Sequence, residues 1–252
     1  MSGHSKWSKI KRQKGVSDIK KGQLFTKLGR EVIVAVREGG ADPERNFRLR
    51  LAIQKCRDNN MPLDNVNVAI KKASGEAGGS ALTETSFEGY GPGGAAILVQ
   101  GLTDNRNRTL QEVRGAFSRG GGNLAEAGGV AWLFENRGVI VVEAGQLSLE
   151  DIALWAIDAG AEDFKIEKDS LEIYTEPATL EPVRRALEEH DVAIASAELS
   201  MIPKTTLELG EDEALRVLKL LDRLEELDDV QRVFSNVDFS DAVMDKLRAK
   251  AA

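Results

Sequence analysis

The chain has 252 residues, 42% of them hydrophobic and 30% charged, and a formal net charge of −7. That length is more than one domain ordinarily uses, so two or three are expected. No apolar run approaches the ~20 residues that span a bilayer, no secretory signal opens the chain, Ser2 rather than Gly follows Met1, and the single cysteine, Cys56, leaves no internal disulfide; a cytoplasmic protein without membrane contact is expected.

The net charge hides a division. Residues 1–72 hold 17 Lys/Arg against 7 Asp/Glu, a net +10, while the remainder holds 17 against 34, a net −17. The first 30 residues carry nine cations and one acid, Asp18. Charge runs are often only solvated faces, but nine to one points to a basic arm for a polyanion, with an acidic body that resists loose sticking.

In chain order, three helices fit residues 17–74. Ser17 can cap the first, whose apolar face is Leu24, Phe25, Leu28, Val32, Ala35 and Val36, and Gly39-Gly40 ends it. Asp42-Pro43 reads as N-cap and first residue of the second, with Leu49, Ile53 and Cys56 on one stripe. The turn Asn59-Asn60-Met61-Pro62 opens a third through Val66, Ile70 and Ala73, and residues 74–82 form a linker. Strands follow at Thr85–Tyr90 and Ala95–Leu102 around Gly91-Pro92-Gly93-Gly94, then a helix at Arg108–Arg119 and a strand at Val130–Phe134. Residues 138–202 read strand, helix, strand, strand, helix, strand: Val139–Glu143, Leu149–Ala159, Asp163–Glu167, Leu171–Thr175, Thr179–Glu189 and Ala193–Met201. That is the ferredoxin-like order. A helix at Asp212–Leu227, a strand at Val230–Asn236 and a terminal helix at Asp241–Ala249 complete the chain. The helix-to-strand junctions at Leu187–Val192 and Leu224–Val230 echo one another, which suggests a second, similar sheet completed late in the chain. The expected fold is α+β in three domains: a basic arm and three-helix domain over 1–78, a discontinuous α/β domain from 79–134 and 204–252, and an inserted ferredoxin-like domain over 135–203.

Little catalytic chemistry is visible. His4 and His190 stand far apart, and with one cysteine no zinc pattern forms. There is no Walker loop, dinucleotide fingerprint or serine elbow. Cys56 sits on an apolar stripe and reads as a core residue. No enzyme activity and no cofactor are expected.

Three features suit nucleic acid. Lys6, Lys9, Lys11, Arg12, Lys14, Lys20 and Lys21 crowd a segment with few apolar residues, where cations neutralise phosphates. Lys27 and Arg30 extend this set along the first helix. Trp7 is either a stacking platform for bases or a packing residue. Asp104-Asn105-Arg106-Asn107-Arg108-Thr109 follows a strand and opens a helix. Asn105, Arg106, Asn107 and Arg108 suit phosphate and base edges; the competing reading is a helix cap with arginines paired to acids. Asn59, Asn60 and Met61 form either an RNA-contacting turn or an ordinary helix joint.

Gly3-His4-Ser5-Lys6-Trp7, Phe25-Thr26-Lys27-Leu28, Asn59-Asn60-Met61-Pro62, Glu88-Gly89-Tyr90-Gly91-Pro92-Gly93-Gly94, Asp104-Asn105-Arg106-Asn107-Arg108-Thr109 and Gly121-Gly122-Asn123-Leu124 stand in the order found in YebC-type proteins. The resemblance spans nearly the whole chain. It implies a helical N-terminal domain and two α/β domains, the middle one discontinuous. It also implies a role in gene expression, in a family that includes the mitochondrial translational activator of cytochrome oxidase. Some members carry the label of DNA-binding transcriptional regulators; others look like translation factors that bind ribosomal RNA and relieve stalling. The stretch Ser8-Lys9-Ile10-Lys11-Arg12-Gln13-Lys14-Gly15-Val16 departs from the Ala-rich sequence of many relatives, so a looser arm is expected here.

Overall fold

The computed structural model describes residues 18–74, 82–145, 147–167, 170–240 and 243, without the side chains of 18–20. The arm residues Lys6, Trp7, Lys9, Lys11, Arg12 and Lys14, the cap at Ser17, the side chain of Lys20 and the terminal helix expected at Asp241–Ala249 lie outside the described residues, Val243 apart.

Helix α1 runs Asp18–Gly39, α2 Phe47–Asp58 and α3 Leu63–Ala73. Leu28, Val32, Ala35 and Val36 recur at helical spacing and bury against Leu49, Ala52 and Cys56 of α2 and Val66 and Ala69 of α3. Burial pushes the Cys56 thiol up to about 11, as befits a packed core residue.

The second helix starts four residues later than the Asp42-Pro43 signal suggests. Asn46 is the N-cap, and its side chain accepts from Leu49 N at 3.0 Å. The same amide donates to Ala35 O and Gly40 O, each at 2.7 Å, tying the end of α1 to the start of α2. Asp42 instead caps a turn, where its Oδ1 accepts from Glu44 N. Gly39 is required by this clip, since a Cβ there would lie 2.6 Å from the Asn46 amide.

The middle domain opens with β1 Thr83–Tyr90 and β2 Ala96–Thr103, antiparallel about the short 3-10 turn Pro92–Gly94. Helix α4 is Arg106–Arg119, and β3 Asn123–Leu124 pairs beside β1. The chain then leaves for the inserted domain: β4 Phe134–Glu143, α5 Leu149–Asp158, β5 Asp163–Glu167, β6 Ser170–Thr175, α6 Leu180–Glu189 and β7 Ile194–Pro203. It returns through β8 Leu207–Glu208, α7 Glu211–Glu225, β9 Val230–Ser235 and β10 Val237–Asp238. The inserted sheet is antiparallel in the order β5-β6-β4-β7, and the middle sheet runs β3-β1-β2-β9. These orders correspond strand for strand if β2 stands for β4, β3 for β5, β1 for β6 and β9 for β7. The middle domain is therefore a permuted copy of the ferredoxin-like arrangement, completed by β9 more than a hundred residues after β2. The fold is α+β in three domains with the middle one discontinuous.

In each sheet both helices cover one face. Val113, Ala116 and Phe117 of α4 and Leu218 and Leu221 of α7 pack on Ile97, Val99 and Val233. Ile152 and Ala156 of α5 and Val183 and Leu187 of α6 pack on Ile140, Val142, Leu171 and Ile173. The opposite face of the middle sheet is also covered, with Ala96, Leu98 and Phe234 meeting Val130 of the loop before β4, Phe134 at the start of β4 and Met201 of β7. Burial on both faces explains why β2 is a continuous apolar run rather than an alternating one.

Of the strand expected at Val130–Phe134 only Phe134 is one, as the first residue of β4. Residues Ala131–Leu133 form a 3-10 turn because the Glu88 carboxylate takes the amides of Gly128, Val130 and Ala131 at 2.8, 2.6 and 2.7 Å, leaving them no ladder to join. Burial would raise the Glu88 pKa, but these three amides outweigh it and hold the carboxyl below its ordinary value.

We propose that 135–203 is one folding unit and that 79–134 folds only together with 204–252. Expressed alone, 135–203 should give a dispersed NMR spectrum, and 79–134 should not. Dispersed signals from 79–134 alone would refute this division.

Candidate nucleic-acid interface

Where β2 runs out at Thr103, the chain turns through Asp104 and Asn105 into α4. Asn105 is the N-cap, in extended geometry, and its side chain accepts from Arg108 N at 3.1 Å. The corner is organised around Asp229, which precedes β9 and whose side chain is 3% exposed. Its Oδ2 accepts from Arg108 at 2.6 Å, Thr109 Oγ1 at 2.7 Å and Thr103 Oγ1 at 3.0 Å. Its Oδ1 accepts from Arg30 of α1 at 2.7 Å. Burial would raise the Asp229 pKa, but the bonds from Thr109, Arg108, Arg30 and Thr103 outweigh it and bring it down to about 2.

This places the sequence-based candidates in distinct roles. Arg30 docks α1 on the middle domain, donating also to Asp228 O at 2.9 Å. Lys27 does the same through Glu225 O at 2.6 Å. Arg108 is held by Asp229 and by Asp104, the latter at 3.0 Å. Asn105 is spent as the cap. Arg106 and Asn107 are exposed, and Arg106 makes no ion pair among the described residues. Lys21 is exposed and sits 5.9 Å over the Phe25 ring. Of the Asn59–Met61 turn, Asn59 donates to Lys55 O at 2.7 Å and Asn60 adopts a left-handed φ of 55°. Met61 is 7% exposed and packs in the helical core, so Asn60 is the exposed member. The fold thus brings the middle of α1, through Lys27 and Arg30, onto the end of β2 and the α7–β9 turn where Asp229 sits, and leaves the Asn59–Met61 turn outside that corner's bonds.

Asp229 went unnoticed in the sequence because its partners are remote. Its one local signal is an acid directly before an apolar strand.

A second junction joins all three domains. Glu31 of α1, Lys55 of α2, Glu198 of β7 and Arg232 of β9 alternate in charge: Lys55 lies 3.2 Å from Glu31 and 3.9 Å from Glu198, and Arg232 lies 3.6 Å and 3.2 Å from the same two. Burial would raise Glu31, but Lys55 and Arg232 outweigh it and lower its pKa. The ring borders a cleft of about 530 Å³. Its cations already face carboxylates, which suits domain joining better than phosphate capture. Among the described residues no His/Cys/Asp/Glu group is arranged to hold a metal ion, and no helix is long and apolar enough to cross a membrane.

Asp229→Asn should cost about 3 kcal/mol of unfolding free energy, because two arginines lose their shared buried carboxylate. Urea titration checks this. The lowered value sets the pH sign: the contribution is full above the ordinary 3.8 and is lost as the pH falls through about 2. An acid unfolding curve that the substitution leaves unmoved would contradict the assignment.

Residues 5–76 match the family profile described as the TACO1/YebC protein N-terminal domain, and residues 82–237 match the one described as the TACO1/YebC second and third domain. A probable transcriptional regulatory protein of Dehalococcoides mccartyi is 57% identical over 251 residues, covering 100% of both chains. One from Pelotomaculum thermopropionicum is 52% identical over 243 residues, covering 96% of this chain and 100% of its own. A crystal structure of a conserved hypothetical protein from Aquifex aeolicus superposes with a TM-score of 0.81 at 46% identity, covering 89% of this chain and 93% of the other. The profiles, the relatives and the permuted double sheet agree, and the chain belongs to the TACO1/YebC family.

Proposed function

We propose that this protein is a non-enzymatic, nucleic-acid-binding regulator of gene expression, and that its target is DNA in transcription. The observation that carries the reading is the charge division, net +10 over residues 1–72 against net −17 in the rest. Clustered cations release counterions from a phosphate backbone, and an acidic body discourages loose contact elsewhere. Arg106 adds an exposed guanidinium at the N-terminus of α4, where helix amides also favour phosphate. The names of the relatives support transcription as the setting.

A second reading, a translation factor on ribosomal RNA that relieves stalling, is favoured by one observation. Helices α2 and α3 have the short connection of a helix-turn-helix unit, yet the first turn of α3 exposes Leu63 and Asp64. A recognition helix makes its base contacts from that end, where an aspartate repels phosphate. Folded RNA, recognised by shape and backbone, does not need such a helix.

Removing residues 2–16 should abolish most binding while the melting temperature stays nearly constant. Arg106→Ala should weaken binding by about 1–3 kcal/mol without melting α4, since Asn105 still caps it. Fluorescence anisotropy and circular dichroism check both. A paired titration against a promoter-length duplex and purified large ribosomal subunits separates the readings. If the arm holds about five phosphates of duplex, log K should fall with log salt at a slope near −4.5. Ribosome binding that persists at salt concentrations that strip the duplex would replace DNA with RNA as the target.

A further inference from the structure

One surface of the middle domain presents two exposed aromatic rings. Trp132 is 64% exposed and Tyr90 is 40% exposed. The Trp132 indole N–H donates to Gly129 O at 3.2 Å, and the Tyr90 hydroxyl donates to the same oxygen at 2.9 Å. The polar edges of both rings therefore converge on one carbonyl, and ring surface is left to solvent. The carbonyl is itself fixed, because Val130 N of its own peptide unit and nearby Gly128 N are taken by the buried carboxylate of Glu88, and Gly129 N donates to Glu126 O. Beside the rings, Asn123 is exposed and lies directly opposite Tyr90 in the β1–β3 ladder, so its amide shares that face of the sheet.

We propose that Tyr90 and Trp132 form a stacking platform for an unstacked nucleobase of single-stranded nucleic acid, with the Asn123 amide addressing the base edge. The inference rests on the nucleic-acid reading above and adds to it a second contact and a strand state. Every base offers a π-face, so held aromatic rings bind single strands without regard to sequence. Immobilising the rings beforehand removes ordering cost at binding. A protein partner is the weaker fit, since two rings fall far short of the ~1,000 Å² that a specific protein interface buries. The platform also lies at the far end of α4 from Arg106: Asn123 follows the helix C-terminus, and 14 residues of helix separate the ends by about 21 Å. A strand whose backbone is held at the arginine corner has that distance in which to leave its partner and offer a base.

The test uses the full chain and 5′-fluorescein-labelled (dT)20, (U)20 and a 20-base-pair duplex, with anisotropy as the readout. Trp132→Ala should weaken binding of the single strands about five- to hundredfold and leave the duplex within about twofold. Trp132→Phe and Tyr90→Phe, which keep a ring, should stay within about threefold of the parent on all probes. A loss on (U)20 alone or (dT)20 alone would support the platform and assign its strand chemistry. Equal loss on duplex and single strands would overturn the platform while leaving nucleic-acid binding in place. So would wild-type affinity of Trp132→Ala for every probe. A parent protein that binds none of the three would overturn the platform and the proposed function together.

Discussion

One buried carboxylate governs how the parts of this molecule meet. Asp229 stands where α7 has turned into β9, and it collects donors from α1, from the end of β2 and from the first turn of α4. A buried aspartate with no partners would be costly, and this one has four. Because the donors come from α1 and from the Thr103–Thr109 segment, both remote in sequence from Asp229, the charge can be satisfied only when the helical domain is docked and the middle sheet is complete. The neighbouring contacts follow from it: Lys27 on the α7 C-terminus, Arg30 on the adjoining backbone, and the exposed Arg108 tethered to the buried carboxylate by its guanidinium.

The consequence for the surface is a division among residues of one type. Arg30 and Arg108 are candidate nucleic-acid ligands in the sequence, and each is engaged by the Asp229 carboxylate. Arg106, two positions from Arg108, projects from the first turn of the same helix without an ion pair among the described residues. Helical geometry accounts for the contrast, since residues two apart do not share a face. Glu88 does for the Gly128–Ala131 loop what Asp229 does for the arginine corner: it gathers donors from an irregular segment and makes it rigid.

Much of the architecture was legible because periodicity is local. In the inserted domain the expected Asp163–Glu167 strand matches the observed one, and its two helices differ from expectation by a residue at one end. The fold class and the family were legible too, the latter from separated motifs. What was not legible depends on distance or on competition between signals. The Arg30–Asp229 bond links residues 199 positions apart, and no pattern in either neighbourhood announces it. Asp42-Pro43 is a good helix start, but Asn46 offers a cap with two further bonds, to Ala35 of α1 and to Gly40 just past its end, and takes the role. Val130–Leu133 has the composition of a strand and is denied a ladder by Glu88, so that only Phe134 of the expected strand pairs. The two-residue strands β3, β8 and β10 are too short to carry any period.

The position of β9 imposes an order on birth. Its partner β2 leaves the ribosome early, and the residues that pair with it emerge only after the whole inserted domain has been made. At ~5–20 residues per second that interval is on the order of ten seconds. Throughout it, one edge of β2, with Ile97, Leu98 and Val99 along it, has no neighbouring strand. An apolar edge left open is a template for pairing with another nascent chain. The inserted domain, whose own strands are all contiguous, can meanwhile finish and stand beside the open sheet. An insertion that lengthens the wait thus also supplies the surface that covers one face of the same sheet, where Met201 and Phe134 meet Leu98.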